Sequence, residues 1–375
     1  MKIFIAGGSI AGLSTALTLN CLGHDVHIFE RSAHALRGQG GGVVVLRHML
    51  RFLEQHGHHC RDMISVPTHR RQWLAQDGAI IQDEPETLPF SSWDAVYRSL
   101  CSMLPADRIH YGSTVEAFTQ DAEGVELRFN DRTERADILI AADGTASRLR
   151  TQLFPNYQAS FAGYIAWRGI VDEAAFDPED IARLVENMTL YRQPGELFMA
   201  FLIPALDGSL TPGTRRFNWL WYRNAADPAE LKHYLTDHTG HVHHASVSAG
   251  QLAPSSIAEL TALAEQRLPA LLAQLVTTTH APFVQAIFDA LSPNFAHHRV
   301  ALIGDAACTL RPHTGSGTSK AADDAVSLAE FLPLECHDIE QQLADWAEAR
   351  RGEVAHLVKK GPQLAASFGL GTPIP

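Results

Sequence analysis

"KIFIAGGSIAGLSTALTLNCLGHDVHIFE", residues 2–30, decides the fold. Lys2–Ala6 is an apolar run of strand length, and Gly7–Gly12 breaks it with a turn. Leu13–Leu22 then carry apolar side chains at helical spacing until Gly23 stops them, and Asp25–Phe29 make a second strand closed by Glu30. Strand, helix and strand in this order form one βαβ half-unit, whose right-handed crossover leaves the two strands parallel.

The turn "GGSIAG" matches a dinucleotide fingerprint, G-x-G-x-x-G, at Gly7 and Gly12, with Ser9 in place of the middle glycine. The helix start at Ser9, Ile10 and Ala11 offers unpaired N–H groups and the positive end of a helix dipole to phosphates. Glu30, 18 residues past Gly12, stands where a carboxylate accepts hydrogen bonds from a ribose diol and repels a 2′-phosphate. Arg31 beside it joins the candidate nucleotide contacts. The competing reading is a tight βα turn with no ligand.

Two more corners follow further along. "DILIAADGTASRLR" runs from a buried strand into Asp143-Gly144, with Ser147 and Arg150 behind. "VALIGDAACTLRPHTGSGTSK", residues 300–320, ends a strand at Asp305 and opens a helix at Gly315-Ser316-Gly317. Ligands of such sheets bind outside the carboxyl ends of the strands, and three corners there predict a long ligand.

Outward from these corners the pattern changes. Residues 45–56 read as a helix, Trp73–Ile81 as a hairpin, and 92–104 as a helix capped by Ser92. Between 160 and 225, "YIAWRGIV", "ELFMAFLIP" and "RRFNWLWYRN" read as strands of one sheet; 228–290 read as mostly helical. Arg299–Ile303 returns to strand, and helices at 318–332 and about 338–363 finish the chain. The expected fold class is α/β: a Rossmann-like domain (1–70, 92–160 and 290–335) interrupted by a β-sheet substrate domain (71–91 and 161–289), with a C-terminal helical segment (336–375).

The 375 residues suffice for two domains sharing an interface, and 46% apolar with 19% charged residues describes an ordinary globular protein. A net charge of −12 without a basic run argues against nucleic acid or an anionic membrane as partner. No apolar run is long enough to span a bilayer. Five scattered cysteines with no C-x-x-C pair point to a reduced, cytoplasmic setting. The histidine clusters "HGHHC" (56–60) and "GHVHH" (240–244) lack structural-zinc spacing and read as solvated loops, so no metal is expected.

Together the three corners resemble those of the single-component flavoprotein aromatic hydroxylases, the p-hydroxybenzoate hydroxylase group. That group's D-G-x-x-S-x-x-R element matches Asp143–Arg150, and its G-D-A-A…P-x-x-G-Q-G element matches Gly304–Ala307 with Pro312–Gly317, Ser316 replacing Gln. Its R-x-x-L helix matches Arg98 in "YRSLCSML", and its terminal helix resembles "WAEAR". Within the group, "GQGGGVVV", "FAGYIAWRG" and "RFNWLWYRN" are most similar to the 2,6-dihydroxypyridine 3-hydroxylases. The resemblance implies FAD, transient NADH or NADPH, and O2 as co-substrate. It also implies a C4a-hydroperoxyflavin that hydroxylates a small, electron-rich aromatic or N-heteroaromatic ring, and it leaves a homodimer open.

By the same resemblance, Glu30 serves the adenosine ribose and Arg98 the diphosphate or ribityl region. Asp305 serves the ribityl chain, Asp143 both FAD and its reduction, and Gly315, Ser316, Gly317 and Thr318 the flavin N1–C2=O edge, with Gly304 in the turn. Asn218, Leu220 and Tyr222 share one strand face and, with Met199, Phe201 and Pro312, are candidate substrate contacts; Trp219 and Trp221 on the other face belong to the core. His313 is either a catalytic imidazole with a near-neutral pKa or a helix-flanking ring in solvent. Other rings (phenol, salicylate, urate) and a non-catalytic flavin- or nucleotide-binding redox sensor remain alternatives.

Overall fold

The computed structural model describes residues 1–371 apart from 39, 46, 58–64 and 226. The "HGHHC" cluster therefore lies, from its third residue on, outside the described residues. The N-terminal stretch forms strand Lys2–Ala6, helix Ile10–Cys21 and strand Asp25–Glu30. The two strands pair in parallel, Ile3 beside Val26 and Ile5 beside Ile28. They belong to a six-stranded sheet in the order Ala296–His297, Val300–Leu302, Ile138–Ala141, Lys2–Ala6, Asp25–Glu30, Ile109–Tyr111. All but the first of these run parallel, so the carboxyl ends of Lys2–Ala6, Ile138–Ala141 and Val300–Leu302 lie side by side. That adjacency brings the three corners together, although up to three hundred residues separate them.

A second, nine-stranded sheet carries Ser160–Asp172, Glu196–Ile203 and Arg216–Asn224 as antiparallel neighbours, and the hairpin Arg70–Leu74/Ile80–Pro85 at its edge. Its strand Phe283–Leu291 corrects one expectation: this segment lies in a region read as helical. Its apolar spacing suits either element, and pairing with Ser160–Asp172, more than a hundred residues upstream, settles it. The helices Pro254–Arg267 and Ala270–Thr277 do form, and they contribute to the tryptophan face of this sheet, where Trp167, Trp219 and Trp221 are fully buried. The opposite face, with Tyr164, Met199, Phe201, Leu220 and Tyr222, packs with Phe90, Ala365 and Leu370.

Helix Gly317–Phe331 lies against helix Ile10–Cys21 and the terminal helix Ile339–Ser367. Asp324, fully buried, ties them together. Its carboxylate accepts the Gly304 N–H (2.8 Å), Lys320 Nζ (2.8 Å) and Arg350 Nε (2.7 Å). Lys320 also donates to the carbonyls of Gly304 and Cys308. Asp324→Ala leaves Lys320 buried without its anion and Arg350 with Glu353 alone, so chemical denaturation should reveal a loss of about 3–5 kcal/mol.

Candidate active site

At the first corner Gly7 has φ 111°, a conformation that disfavours any side chain, and a Cβ there would strike the Ala142 carbonyl. A Cβ on Gly12 would run into the Gly7 carbonyl. Both glycines let backbones approach where other residues could not. Ser9 occupies the N-cap of the first helix without bonding its own N–H groups, which stay available. Glu30 is buried, and its carboxylate accepts the Gly8 and Ser32 N–H groups, each at 2.8 Å. One lone pair on each oxygen remains for a hydroxyl donor. Arg31 is exposed and makes no ion pair among the described residues.

At the second corner Asp143 Oδ2 accepts the Arg148 and Leu149 N–H groups, whereas Oδ1 is buried with no partner. Ser147 caps its helix through the Arg150 N–H (2.9 Å). Arg150 is buried and donates to the carbonyls of Thr145, Asp305 and Ala306, stapling the second corner to the third.

The third corner begins at Gly304, φ 58°, where a Cβ would press on Ala11 of the first corner. Solvent reaches the Asp305 carboxylate, yet dense protein surrounds it in a crevice. Desolvation raises its pKa above the usual carboxylate range, with Lys320, the Thr145 hydroxyl and Arg150 opposing. Pro312–Thr314 make a short turn, Gly315 is left-handed at φ 63°, and the helix begins at Gly317 with no side-chain cap. A Cβ on Gly317 would meet nothing within 4 Å, so open space lies before this helix start.

Beyond it stands the second sheet. Asn218 is buried; its Oδ1 accepts the Gly42 N–H at 2.7 Å, so its amide NH2 is the group without a partner. Tyr222 on the same face is fully buried with its hydroxyl unpartnered. Met199 and Leu220 are buried there, and Phe201 stacks on Phe90, centroids 3.8 Å apart. His313 is buried rather than in solvent: its Nε2 meets the Tyr164 hydroxyl at 3.0 Å, its ring sits edge-on to Tyr222, and Nδ1 is unpartnered. Burial first, then the nearby Arg311 cation, push its pKa down to about 4, which corrects the near-neutral expectation. Pro312, immediately before it, is half-buried. Arg98 is held by Asp94 (2.9 Å) and the Leu206 carbonyl (2.7 Å), joining the first half of the chain to the second sheet.

Several residues here escaped the sequence reading. Arg168 lies beside Leu220 on the same sheet face, and its Nε is buried without a partner. The strand alternation of "FAGYIAWRG" places Tyr164, Ala166 and Arg168 on one face and could have found it. Side chains on Gly41 and Gly42 would collide with Arg168 and Phe201, so the glycine run lies directly on this wall.

The chain is 34% identical to the 2,6-dihydroxypyridine 3-monooxygenase of Paenarthrobacter nicotinovorans, over 99% of this chain and 94% of that protein. It belongs to the single-component FAD-dependent aromatic hydroxylases. The solved 2,6-dihydroxypyridine-3-hydroxylase from Arthrobacter nicotinovorans superposes with a TM-score of 0.90 at 31% identity, covering all of this chain and 94% of that one. A family model described as FAD binding domain-like matches residues 161–289. Klebsiella pneumoniae HpxO, solved with FAD and uric acid, shares the fold at 22% identity, TM-score 0.78, over 98% of this chain and 89% of that one.

As a flavoprotein hydroxylase the chain works with FAD, NAD(P)H and O2. The three corners fit FAD: they touch one another, leave Asp143 Oδ1 without a partner, and present two uncapped helix starts. Among the described residues no cluster of His, Cys, Asp or Glu could hold a metal, and no helix is long and apolar enough to cross a membrane. In "GHVHH", His243 pairs with Asp237 at 2.8 Å.

Gly12→Ala should yield protein with little bound FAD, read as the flavin-to-protein absorbance ratio. His313 also predicts an acid limit. Between pH 6.5 and about 4 the unfolded chain takes up a proton that the folded imidazole refuses, so stability falls with pH through that window. The loss reaches about 3 kcal/mol below it. Acid unfolding of His313→Gln should shift to lower pH.

Proposed function

We propose that this hydroxylase acts on a hydroxypyridine. The likeness to a dihydroxypyridine monooxygenase supports the reading, and one observation carries it. Asn218 Nδ2, Tyr222 OH, His313 Nδ1 and Arg168 Nε all lack partners, on or beside a wall otherwise made by Met199, Phe201 and Leu220. Flat apolar walls with a few convergent polar atoms suit an aromatic ring that carries oxygen and nitrogen at its rim.

In this reading Glu30 takes the adenosine ribose, and the N–H groups of Ser9–Gly12 take the diphosphate, with Arg31 and Arg98 nearby. Asp143 and Asp305 take hydroxyls of the ligand's middle. The N–H groups of Gly315–Thr318 face the flavin's pyrimidine edge, where a helix start stabilises negative charge. When bound, FAD would supply the redox chemistry that couples NAD(P)H and O2 to ring hydroxylation. Asn218, fixed by the Gly42 N–H, donates its amide hydrogens toward the substrate. His313 is neutral at working pH, is held through Nε2 by Tyr164, and exchanges a hydrogen bond or proton with the substrate's hydroxyl through Nδ1. Pro312, Met199, Phe201 and Leu220 exclude water from the reacting ring.

The scattered cysteines support a cytoplasmic setting, and membership of the group makes a homodimer our proposal for its assembly.

The deciding experiment is a screen of hydroxypyridines, phenols, salicylate and urate, following NAD(P)H oxidation and product together. Hydroxypyridines should give the fastest coupled turnover; preference for another ring would move the substrate, and flavin that no ring accelerates would leave a redox sensor. His313→Ala should retain FAD yet release more hydrogen peroxide per NAD(P)H oxidised. Unchanged coupling and turnover across pH would remove His313 from the reaction.

A further inference from the structure

A neutral imidazole carries one hydrogen, and the nitrogen that holds it decides whether His313 gives or takes at the ring. Nε2 lies 3.0 Å from the Tyr164 hydroxyl, and Nδ1 is buried without a partner among the described residues. Two arrangements satisfy the first contact. Either Nε2–H donates to the phenol oxygen and Nδ1 is a bare acceptor, or the phenol donates to Nε2 and Nδ1 carries the hydrogen.

The surroundings of Tyr164 separate the two. The Arg311 guanidinium lies 5.5 Å from the Tyr164 ring centroid, and its Nε donates to Asp289 at 2.8 Å. The last helix passes beside Arg311 at Gly361, where a Cβ would come within 3.4 Å of the arginine's stem, so the guanidinium has little room to swing away. Burial raises the Tyr164 pKa, and the Arg311 cation opposes that rise. A hydroxyl beside a cation turns its oxygen toward the charge and its hydrogen away, which makes it a better donor and a poorer acceptor. The hydrogen then goes to Nε2, its hydrogen-bond partner. Burial and the same cation keep His313 uncharged in neutral solution, so no second hydrogen joins the imidazole. Tyr222, edge-on to the imidazole, is itself held neutral by burial, which leaves Arg311 and Asp289 as the charges that bear on it.

We infer that Asp289, Arg311 and Tyr164 fix His313 as the tautomer with its hydrogen on Nδ1, and that His313 serves the ring as a hydrogen-bond donor and takes no proton from it. This rests on the reading that sets His313 beside the ring and narrows it to donation. The ring atom opposite Nδ1 is an acceptor, a hydroxyl or carbonyl oxygen or a pyridine nitrogen. Arg311 and Tyr164 are positioning residues: they act on the ring through His313.

Nitrogen NMR of the FAD-loaded enzyme labelled with 15N-histidine reads the tautomer directly. The His313 signals, identified by their loss in His313→Asn, should show hydrogen on Nδ1 at neutral pH in wild type. In Tyr164→Phe and in Arg311→Gln they should move toward the other tautomer. The donor role is read by titrating the same enzyme with 2,6-dihydroxypyridine, following flavin absorbance, and by the hydrogen peroxide released per NAD(P)H oxidised. An Asn amide nitrogen can stand where Nδ1 stands, and a Gln amide nitrogen where Nε2 stands. His313→Leu and His313→Gln should therefore weaken binding about tenfold, the worth of one hydrogen bond, and His313→Asn should restore most of that loss and of the coupling. The pH profile of kcat/KM should keep its wild-type shape in His313→Asn. Hydrogen on Nε2 or on both nitrogens of wild type overturns the inference, as does Nδ1–H that persists unchanged in Tyr164→Phe. So does His313→Asn that binds and couples no better than His313→Leu, or that loses a limb of the wild-type pH profile. Nδ1–H with binding and coupling unchanged in every His313 variant would take His313 away from the ring, and the donation falls with that placing. The tautomer is read without ligand, so turnover of a ring other than a hydroxypyridine would sink the substrate reading alone.

Discussion

One buried carboxylate holds the catalytic half of this molecule in register. Asp324 receives a main-chain N–H from the Gly304 turn, an ammonium from its own helix and a guanidinium from the terminal helix. Arg350 also pairs with Glu353 at 2.6 Å, and Lys320 donates its remaining hydrogens to the carbonyls of Gly304 and Cys308. The arrangement fixes the distance between a strand end and a helix start. A hydrophobic replacement of similar volume would pack, but it would not orient the Gly304 N–H.

From that anchor the other corners follow by contact. Gly304 presses on Ala11, Gly7 on Ala142, and Arg150 reaches back to Asp305 and Ala306. A parallel sheet alone brings strand ends together only approximately. These close approaches, two of them possible only at glycine, hold the three corners against one another.

The local parts of this architecture are legible in the sequence. Lys2–Glu30 reads as strand, turn and helix because each element is decided by its own residues. The Ser92 cap and the shared face of Asn218, Leu220 and Tyr222 follow from periodicity in the same way. What stays hidden depends on distant partners. Phe283–Leu291 becomes a strand through Ser160–Asp172, and Asn218 acquires its orientation from Gly42, 176 residues away. Burial against Tyr164 and Arg311, rather than any neighbour in sequence, takes His313 far below the usual histidine range. Arg168 was visible by alternation but not by charge balance, since only the folded chain reveals that it makes no ion pair among the described residues.

The second sheet divides its labour between two faces. Trp167, Trp219 and Trp221 hold one face to its helices, while the alternate residues of the same strands, Arg168, Asn218, Leu220 and Tyr222, form the other. Neighbouring positions along one strand therefore meet different surroundings. Side chains on the face opposite the tryptophans can be exchanged while the tryptophan side preserves folding. The alternation of a single strand thereby uncouples chemical drift from thermodynamic risk.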